Sequence, residues 1–265
     1  MPFFPTADGT RLCYRVTGDG APAMLLVHGW CSSSRHWKPQ ADHFASTHRV
    51  INYDRRGHGR SDAPAARYTT TQHVRDLAEL VAHLKLEELV LVAHAGGGPT
   101  ALTFAARNPD AVRAVVLMEG NLNTPQEQRE RTAPLMLALQ GATHAEVFAQ
   151  VYARFLHPAN DPRLIARTVR EAGATPVHVI RAELEGLVVD TQQMAREVTQ
   201  PVLWISAVPK PGQTDSAGVA RCFSNAKFGQ VVGAAHFPQL EVPDQVNAML
   251  ERFLRQTFPR VARRG

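Results

Sequence analysis

Residues 92–97 read Val-Ala-His-Ala-Gly-Gly, between a short apolar run and a segment whose apolar residues recur with helical spacing. A strand that turns sharply into a helix lifts one side chain above the sheet. Such a turn needs small neighbours, because the backbone packs tightly there. Ala93, Gly96 and Gly97 are such neighbours, so Ala95 is predicted at the top of the turn. The same turn places a helix N-terminus beneath Ala95, where backbone amides and the helix dipole favour negative charge.

Strand-like and helix-like segments also alternate on both flanks of this turn. Short apolar runs predict buried strands at 24–27, 50–53, 89–92, 112–118 and 202–205, and helical spacing predicts helices at 70–84 and 97–107. Such alternation predicts an α/β fold, with a mostly parallel central sheet flanked by helices and joined by right-handed crossovers.

The alternation stops between residues 122 and 199, which contain no clear buried strand. Amphipathic stretches predict helices there at 126–139, 145–156, 164–171 and 177–189. We therefore expect residues 122–199 to form a helical cap inserted into a core of residues 1–121 and 200–265. The core is expected to close with a strand at 227–232 and a helix at 244–258.

Composition restricts the class of protein. The chain has 265 residues, of which 44% are apolar, enough for one large core and a small lid. No apolar run approaches the roughly 20 residues of a membrane helix, and no basic segment leads an apolar run at the N-terminus. We therefore expect neither a membrane span nor a signal peptide. The cysteines Cys13, Cys31 and Cys222 are scattered, which favours a reducing cytoplasm.

Charge and motif content argue against several ligands. The formal charge is +5, with much of the excess on arginines near the C-terminus, Arg255, Arg260, Arg263 and Arg264. A solvated tail explains them better than a nucleic-acid site, since no basic stripe is interleaved with aromatic residues. No metal or nucleotide cofactor is expected, because metal-ligand spacings and the complete dinucleotide-binding glycine pattern are absent. The sequence leaves a homodimer open.

Three further motifs follow predicted strands. Residues 28–30 read His-Gly-Trp and lie at the carboxyl end of a predicted strand. Backbone amides at such a strand end can point at one oxygen. The amides of Trp30 and Gly96 are therefore expected to form an oxyanion hole. Residues 56–62, Arg-Gly-His-Gly-Arg-Ser-Asp, form a glycine-rich turn, and residues 235–238 read Ala-His-Phe-Pro.

These motifs, in this order, resemble the α/β-hydrolase superfamily over nearly the whole chain. The resemblance implies a catalytic histidine at His236 and a nucleophile at position 95, where family members usually carry serine and this chain carries Ala95. Two explanations are open. Either a serine was replaced, or the natural protein works without a covalent nucleophile.

The acid that partners His236 has two candidates. Many family members hold it after the strand that follows the cap, but no carboxylate occurs there until Asp215. Glu119 closes the strand at 112–118, next to the strand that leads to Ala95. A carboxylate at that edge can reach the imidazole and fix its tautomer. We therefore expect Glu119 to be the acid, with Asp215 as the fallback.

The placement of the acid at position 119 is similar to that in the zearalenone lactonases, the haloalkane dehalogenases and the cofactor-independent 3-hydroxy-4-quinolone dioxygenases. The dehalogenases carry tryptophan directly after the nucleophile, where this chain has Gly96. His-Gly-Trp-Cys at residues 28–31 resembles the dioxygenases in particular. Those enzymes continue with histidine, where this chain has Ser32.

Three functions follow from these residues. The first is a serine hydrolase of an apolar ester or lactone, with serine in place of Ala95 and with Trp30, Phe148 and Phe155 lining a pocket under the cap. The second is a cofactor-independent dioxygenase, in which His236 and Glu119 deprotonate a substrate hydroxyl. The third is a binding protein without catalysis.

Overall fold

The central strands are buried over almost their whole length, which explains why they appear in the sequence as continuous apolar runs. A computed structural model describes residues 1–207 and 214–259. Every residue is buried in β3 (Ala23–Val27), β4 (Val50–Tyr53), β5 (Leu89–His94) and β7 (Val202–Ser206). In β6 (Val112–Met118) only one residue is exposed. The last strand, β8 (Ala226–Gln230), is partly exposed at the sheet edge.

The strands form one sheet in the order β1-β2-β4-β3-β5-β6-β7-β8 within the described ranges. From β4 to β8 all neighbours are parallel, whereas β1 (Phe3–Pro5) and β2 (Arg11–Thr17) are antiparallel additions at one edge. The predicted α/β fold with a mostly parallel sheet is confirmed. The two N-terminal strands were not predicted.

Helices cover both faces of the sheet. Side chains along a strand point alternately to opposite faces, so Leu25 packs with α2 (Thr70–His83) and α3 (Gly98–Arg107). Met24 instead packs with α1 (Lys38–Phe44) and α11 (Pro243–Thr257). Along the chain, the short helix α9 (Ser216–Cys222) precedes β8 and the short helix α10 (Pro238–Glu241) follows it.

Five helices lie between β6 and β7, and sequence periodicity predicted the first four of them. We call them the inserted helices: α4 (Pro125–Ala138), α5 (His144–Ala153), α6 (Pro162–Gly173), α7 (Val177–Gly186) and α8 (Thr191–Arg196). No residue of α4 is buried, whereas residues of α5, α6 and α7 form an apolar cluster with Phe237 of the core. The division of the chain into a core and a cap of residues 122–199 stays a prediction.

Within the described ranges, no helix is both long enough and apolar enough to cross a membrane. The expected location in the cytoplasm stays a prediction. The arginines Arg260, Arg263 and Arg264, which were expected in a solvated tail, lie outside the described residues.

Candidate active site

A sharp turn connects β5 to α3 and presents Ala95. β5 ends at His94, residues 95–97 form a short 3₁₀ turn, and α3 follows at once. The φ angle of Ala95 is +45°, in the left-handed region that L-residues adopt only at a cost. A Cβ atom on Gly97 would lie 2.7 Å from the carbonyl oxygens of Val27 and His28, so only glycine fits there without a shift. The strained backbone therefore holds the Ala95 methyl group above the sheet edge.

Glu119 occupies the matching position at the end of the neighbouring strand β6. It also has a left-handed backbone, with φ of +50°, and only 1% of its surface is exposed. Its Oε1 accepts a hydrogen bond of 2.6 Å from the amide of Ala207, just after β7. Its Oε2 lies 3.2 Å from Nδ1 of His236. The carboxylate is thus fixed on one side by the sheet edge and faces the imidazole on the other.

The loop after β8 is held so that the ring of His236 meets this carboxylate. The His236 amide donates to the carbonyl of Phe155 at 2.8 Å, and the His236 carbonyl accepts from Nε2 of His94 at 2.6 Å. With its Nδ1 proton directed at Glu119, the imidazole keeps a lone pair on Nε2. The His236 side chain is 20% exposed, and it lines the same cavity as Ala95.

The two residues predicted to supply oxyanion donors lie next to each other. A Cβ atom on Gly96 would be 3.1 Å from the backbone nitrogen of Trp30. Among the described residues the Trp30 amide has no hydrogen-bond partner. His28 supports this loop, because its Nδ1 lies 2.9 Å from the Gly29 carbonyl and its Nε2 accepts from the Arg55 amide at 2.9 Å.

A cavity of about 470 Å³ lies between the sheet edge and the inserted helices. Ala95, Gly96 and His236 line it, together with the predicted wall residues Trp30 and Phe155. Its remaining lining residues are His94, Pro99, Asn121, Gln128, Arg131, Thr132, Pro134, Leu135, Ala138, Val147, Val151, Tyr152, Leu184, Leu187, Thr191 and Phe237.

Phe148 is not among the described residues that line this cavity, which corrects the expectation from the sequence. Only 3% of its surface is exposed, and its ring packs 5.5 Å from Trp30 and 5.4 Å from Tyr152 between ring centres. Because α5 presents Phe148 towards the apolar cluster, this side chain packs against Trp30 and does not form part of the cavity wall.

Asp215, the fallback acid, has a different contact. Its Oδ1 accepts a hydrogen bond of 2.7 Å from the Gly218 amide and so caps α9. The segment 208–213 before it, part of the stretch in which the fallback acid was sought, lies outside the described residues. The geometry therefore brings Glu119 to His236 and gives Asp215 a capping contact.

Sequence reasoning missed Glu241, whose carboxylate fixes the loop around His236. Its carboxylate accepts from the amides of Ala235 and Phe237, at 3.2 and 2.8 Å, on either side of His236. It also accepts from the His157 amide at 2.8 Å, within the segment between α5 and α6. No local motif marks Glu241, because its role depends on the turn that folds α10 back onto the loop.

A buried ion pair, also not predicted, joins the residue directly before the glycine-rich turn to α7. Nη2 of Arg55 donates to Oε1 of Glu183 at 2.7 Å, and the two side chains are 2% and 1% exposed. Burial alone would raise the pKa of the Glu183 carboxyl, but the Arg55 guanidinium and neighbouring imidazoles hold that pKa well below its ordinary value. Nearby, the indole Nε1 of Trp30 donates to the carbonyl of Ile180 at 3.0 Å, so α7 is fixed to the loop that carries Trp30.

Comparisons with known proteins agree with this architecture. Residues 22–243 match the family described as alpha/beta hydrolase fold. The chain is 30% identical to a protein of Caulobacter vibrioides named "Putative carbamate hydrolase RutD", over 94% of this chain and 96% of that one. Its counterpart in Caulobacter segnis is 29% identical, over 94% and 97% of the two chains.

Solved structures show the same fold. The enol-lactonase from Burkholderia xenovorans LB400 is 24% identical, with a TM-score of 0.84 over 96% of this chain and 99% of that one. A thermophilic esterase from Thermogutta terrifontis is 23% identical, with a TM-score of 0.84 over 97% and 98%. At these identities the likeness concerns the fold alone.

Proposed function

Since the chain belongs to the α/β-hydrolase fold family, we propose that its cavity is the active site of a serine-type hydrolase of carboxylic esters or lactones, with serine at position 95 in the active form. The observation that carries this proposal is the strained turn at Ala95, which shares one cavity with an imidazole that is paired with a buried carboxylate. Under this proposal, the part of the site that the chain lacks is the attacking oxygen at position 95.

In the proposed reaction the hydroxyl oxygen of serine 95 attacks the carbonyl carbon while Nε2 of His236 takes the hydroxyl proton. Glu119 stabilises the resulting imidazolium through Nδ1. The amides of Trp30 and Gly96 bind the oxyanion, and losing one such donor typically costs about 3 kcal/mol of transition-state stabilisation. The imidazolium then protonates the departing alcohol. Water, deprotonated by the same base, releases the acid and restores the serine.

The backbone of Ala95 supports the replacement of a serine. A left-handed conformation costs an alanine about 1–2 kcal/mol, and such strain is usually kept where function needs it. An alanine methyl gains nothing from being raised into a cavity. A serine hydroxyl raised at the same point could reach the histidine and the carbonyl carbon of a substrate.

The substitution Ala95→Ser tests the proposal. We expect this variant to hydrolyse at least one member of a panel of 4-nitrophenyl esters, lactones and aryl carbamates, with a burst of product as the acyl-enzyme forms. The Ala95 parent is the matched control, because it carries the same backbone strain as the serine variant but has no nucleophile. An Ala95→Ser protein that folds normally and hydrolyses no member of the panel would refute the proposal.

One observation favours a second candidate. The His236–Glu119 pair is intact although Ala95 cannot attack a substrate. A base without a nucleophile can still deprotonate the hydroxyl of a heteroaromatic ring, whose anion then reacts with O₂. Oxygen uptake by the Ala95 protein with a 3-hydroxy-4-quinolone, lost in His236→Gln, would support this dioxygenase. No uptake, together with ester hydrolysis by Ala95→Ser, would exclude it.

A further inference from the structure

The cavity has a polar end and an apolar end. Six lining residues of α4 recur at intervals of three or four positions and so share one side of the helix: Gln128, Arg131, Thr132, Pro134, Leu135 and Ala138. The first three, nearer the helix N-terminus, are polar, and the last three are apolar. The cavity-facing side of α4 therefore changes from polar to apolar towards the C-terminus of the helix.

Hydrogen bonds continue the polar end beyond α4. Nδ2 of Asn123 donates to Oε1 of Gln128 at 3.0 Å, and Oγ1 of Thr191 donates to the carbonyl of Asn121 at 2.9 Å. Asn121 and Thr191 line the cavity themselves. Polar groups from three separate segments thus meet where the chain leaves β6.

Arg131 is the one permanently charged side chain among the described residues that line the cavity, and no lining residue is an aspartate, glutamate or lysine. Within the part of the chain that the structure describes, no carboxylate lies within ion-pair distance of Arg131. Partial desolvation lowers the pKa of the Arg131 guanidinium, and the charge of Glu119 opposes this effect. Arg131 stays protonated in either case, since a guanidinium does not lose its proton in proteins.

We propose that the ligand of this cavity carries a carboxylate, which Arg131 binds while the apolar remainder lies against Leu135 and Phe155. The substrate class is then a half-ester of a dicarboxylic acid or a lactone bearing a carboxylate, in place of the wholly apolar substrate expected from the sequence. The inference rests on the proposed function because it takes this cavity as the ester site. A planar guanidinium suits the role, because it can hold a carboxylate through two parallel hydrogen bonds.

Binding to the protein as it exists, with Ala95, tests the inference by calorimetry. The probes are monobenzyl succinate and benzyl butyrate, which differ only in a carboxylate that a methyl group replaces. We expect the half-ester to bind at least about tenfold more tightly, as a charge-assisted hydrogen bond predicts, and added salt to weaken it. Arg131→Gln should abolish the preference and Arg131→Lys should keep part of it.

Arg129→Gln is the matched control, because Arg129 is an exposed arginine on the same helix, as Arg131 is, but does not line the cavity. We expect this variant to bind like the parent protein. Equal affinity for the two esters, equal effects of the substitutions at 129 and 131, or no saturable binding of the half-ester would each overturn the inference.

Hydrolysis by Ala95→Ser separates this inference from the proposed function. If the Ala95 protein binds the half-ester through Arg131 and Ala95→Ser hydrolyses neither probe and no member of the panel above, the hydrolase proposal fails and the carboxylate site stands. If Ala95→Ser hydrolyses both probes equally well and Arg131→Gln changes neither rate, the hydrolase proposal stands and the carboxylate site is refuted.

Discussion

Replacing Glu119 by glutamine, in a chain that also carries Ala95→Ser, should abolish most hydrolysis while leaving the fold intact. The Ala207 amide, 2.6 Å from Oε1, requires an acceptor, so the glutamine oxygen must take that position. Its NH₂ group then faces Nδ1 of His236, where Oε2 now lies at 3.2 Å. The imidazole can accept from this donor only with its proton on Nε2, and it then has no lone pair for the serine hydroxyl.

The size of the effect follows from this change of tautomer. In the general Ser-His-Asp template, the corresponding acid-to-amide change lowers kcat about 10⁴-fold. At 1.36 kcal/mol per factor of ten, that is about 5 kcal/mol of transition-state stabilisation. We expect a loss of similar size in kcat/KM for 4-nitrophenyl butyrate, and a thermal unfolding midpoint close to that of the parent.

Asp215→Asn in the same background is the control. Asn also caps helices well, so the contact with Gly218 and the stability should both be kept, and activity should be close to that of the parent. A loss of less than tenfold for Glu119→Gln, or a larger loss for Asp215→Asn, would contradict the assignment of the acid.

Three further substitutions probe the same region. Gly97→Ala places a Cβ atom 2.7 Å from two carbonyl oxygens, so the denaturation midpoint should fall by the equivalent of about 1–3 kcal/mol; an unchanged midpoint would contradict the tight turn. Glu241→Gln weakens the acceptor of the amides beside His236, so kcat of the Ala95→Ser protein should fall with little change in KM. Burial lowers the pKa of His36 to about 4, from an ordinary value near 6.5. As the pH falls from 6.5 to 4, His36 therefore takes up a proton in the unfolded chain before it does so in the folded protein. The free energy of unfolding decreases by about 3 kcal/mol over this range. Denaturant unfolding at pH 7 and 4.5 should show a smaller loss in His36→Phe.

The central strands and the turn at Ala95 could be predicted because burial acts there on consecutive residues. Strands such as β5 are covered on both faces, so their apolar runs are unbroken. The edge strands β1 and β2 could not be recognised in this way. β1 has only three residues, two of them exposed, and β2 mixes buried and exposed positions.

Some candidate site residues could likewise be predicted from local sequence, and others could not. Glu119 was predictable because it directly follows a buried strand, so its place at the sheet edge is set by local sequence. Glu241 and the Arg55–Glu183 pair depend on segments that meet only after the inserted helices fold onto the core. Phe148 was misplaced for the same reason, since helical periodicity does not show which neighbour an apolar face will meet.

The two sides of the cavity differ in how firmly they are attached. Pulling α7 away would separate Arg55 from Glu183, and breaking a buried ion pair by removing one partner costs about 3–5 kcal/mol. α4 has no buried residue, although Leu135 and Met136 pack partly buried against the apolar cluster, and its outward displacement breaks no buried ion pair among the described residues. Ligands should therefore enter and leave along α4, with α7 as a stationary roof. Crosslinking α4 to the core should slow exchange, while a crosslink at α7 should leave the exchange rate unchanged.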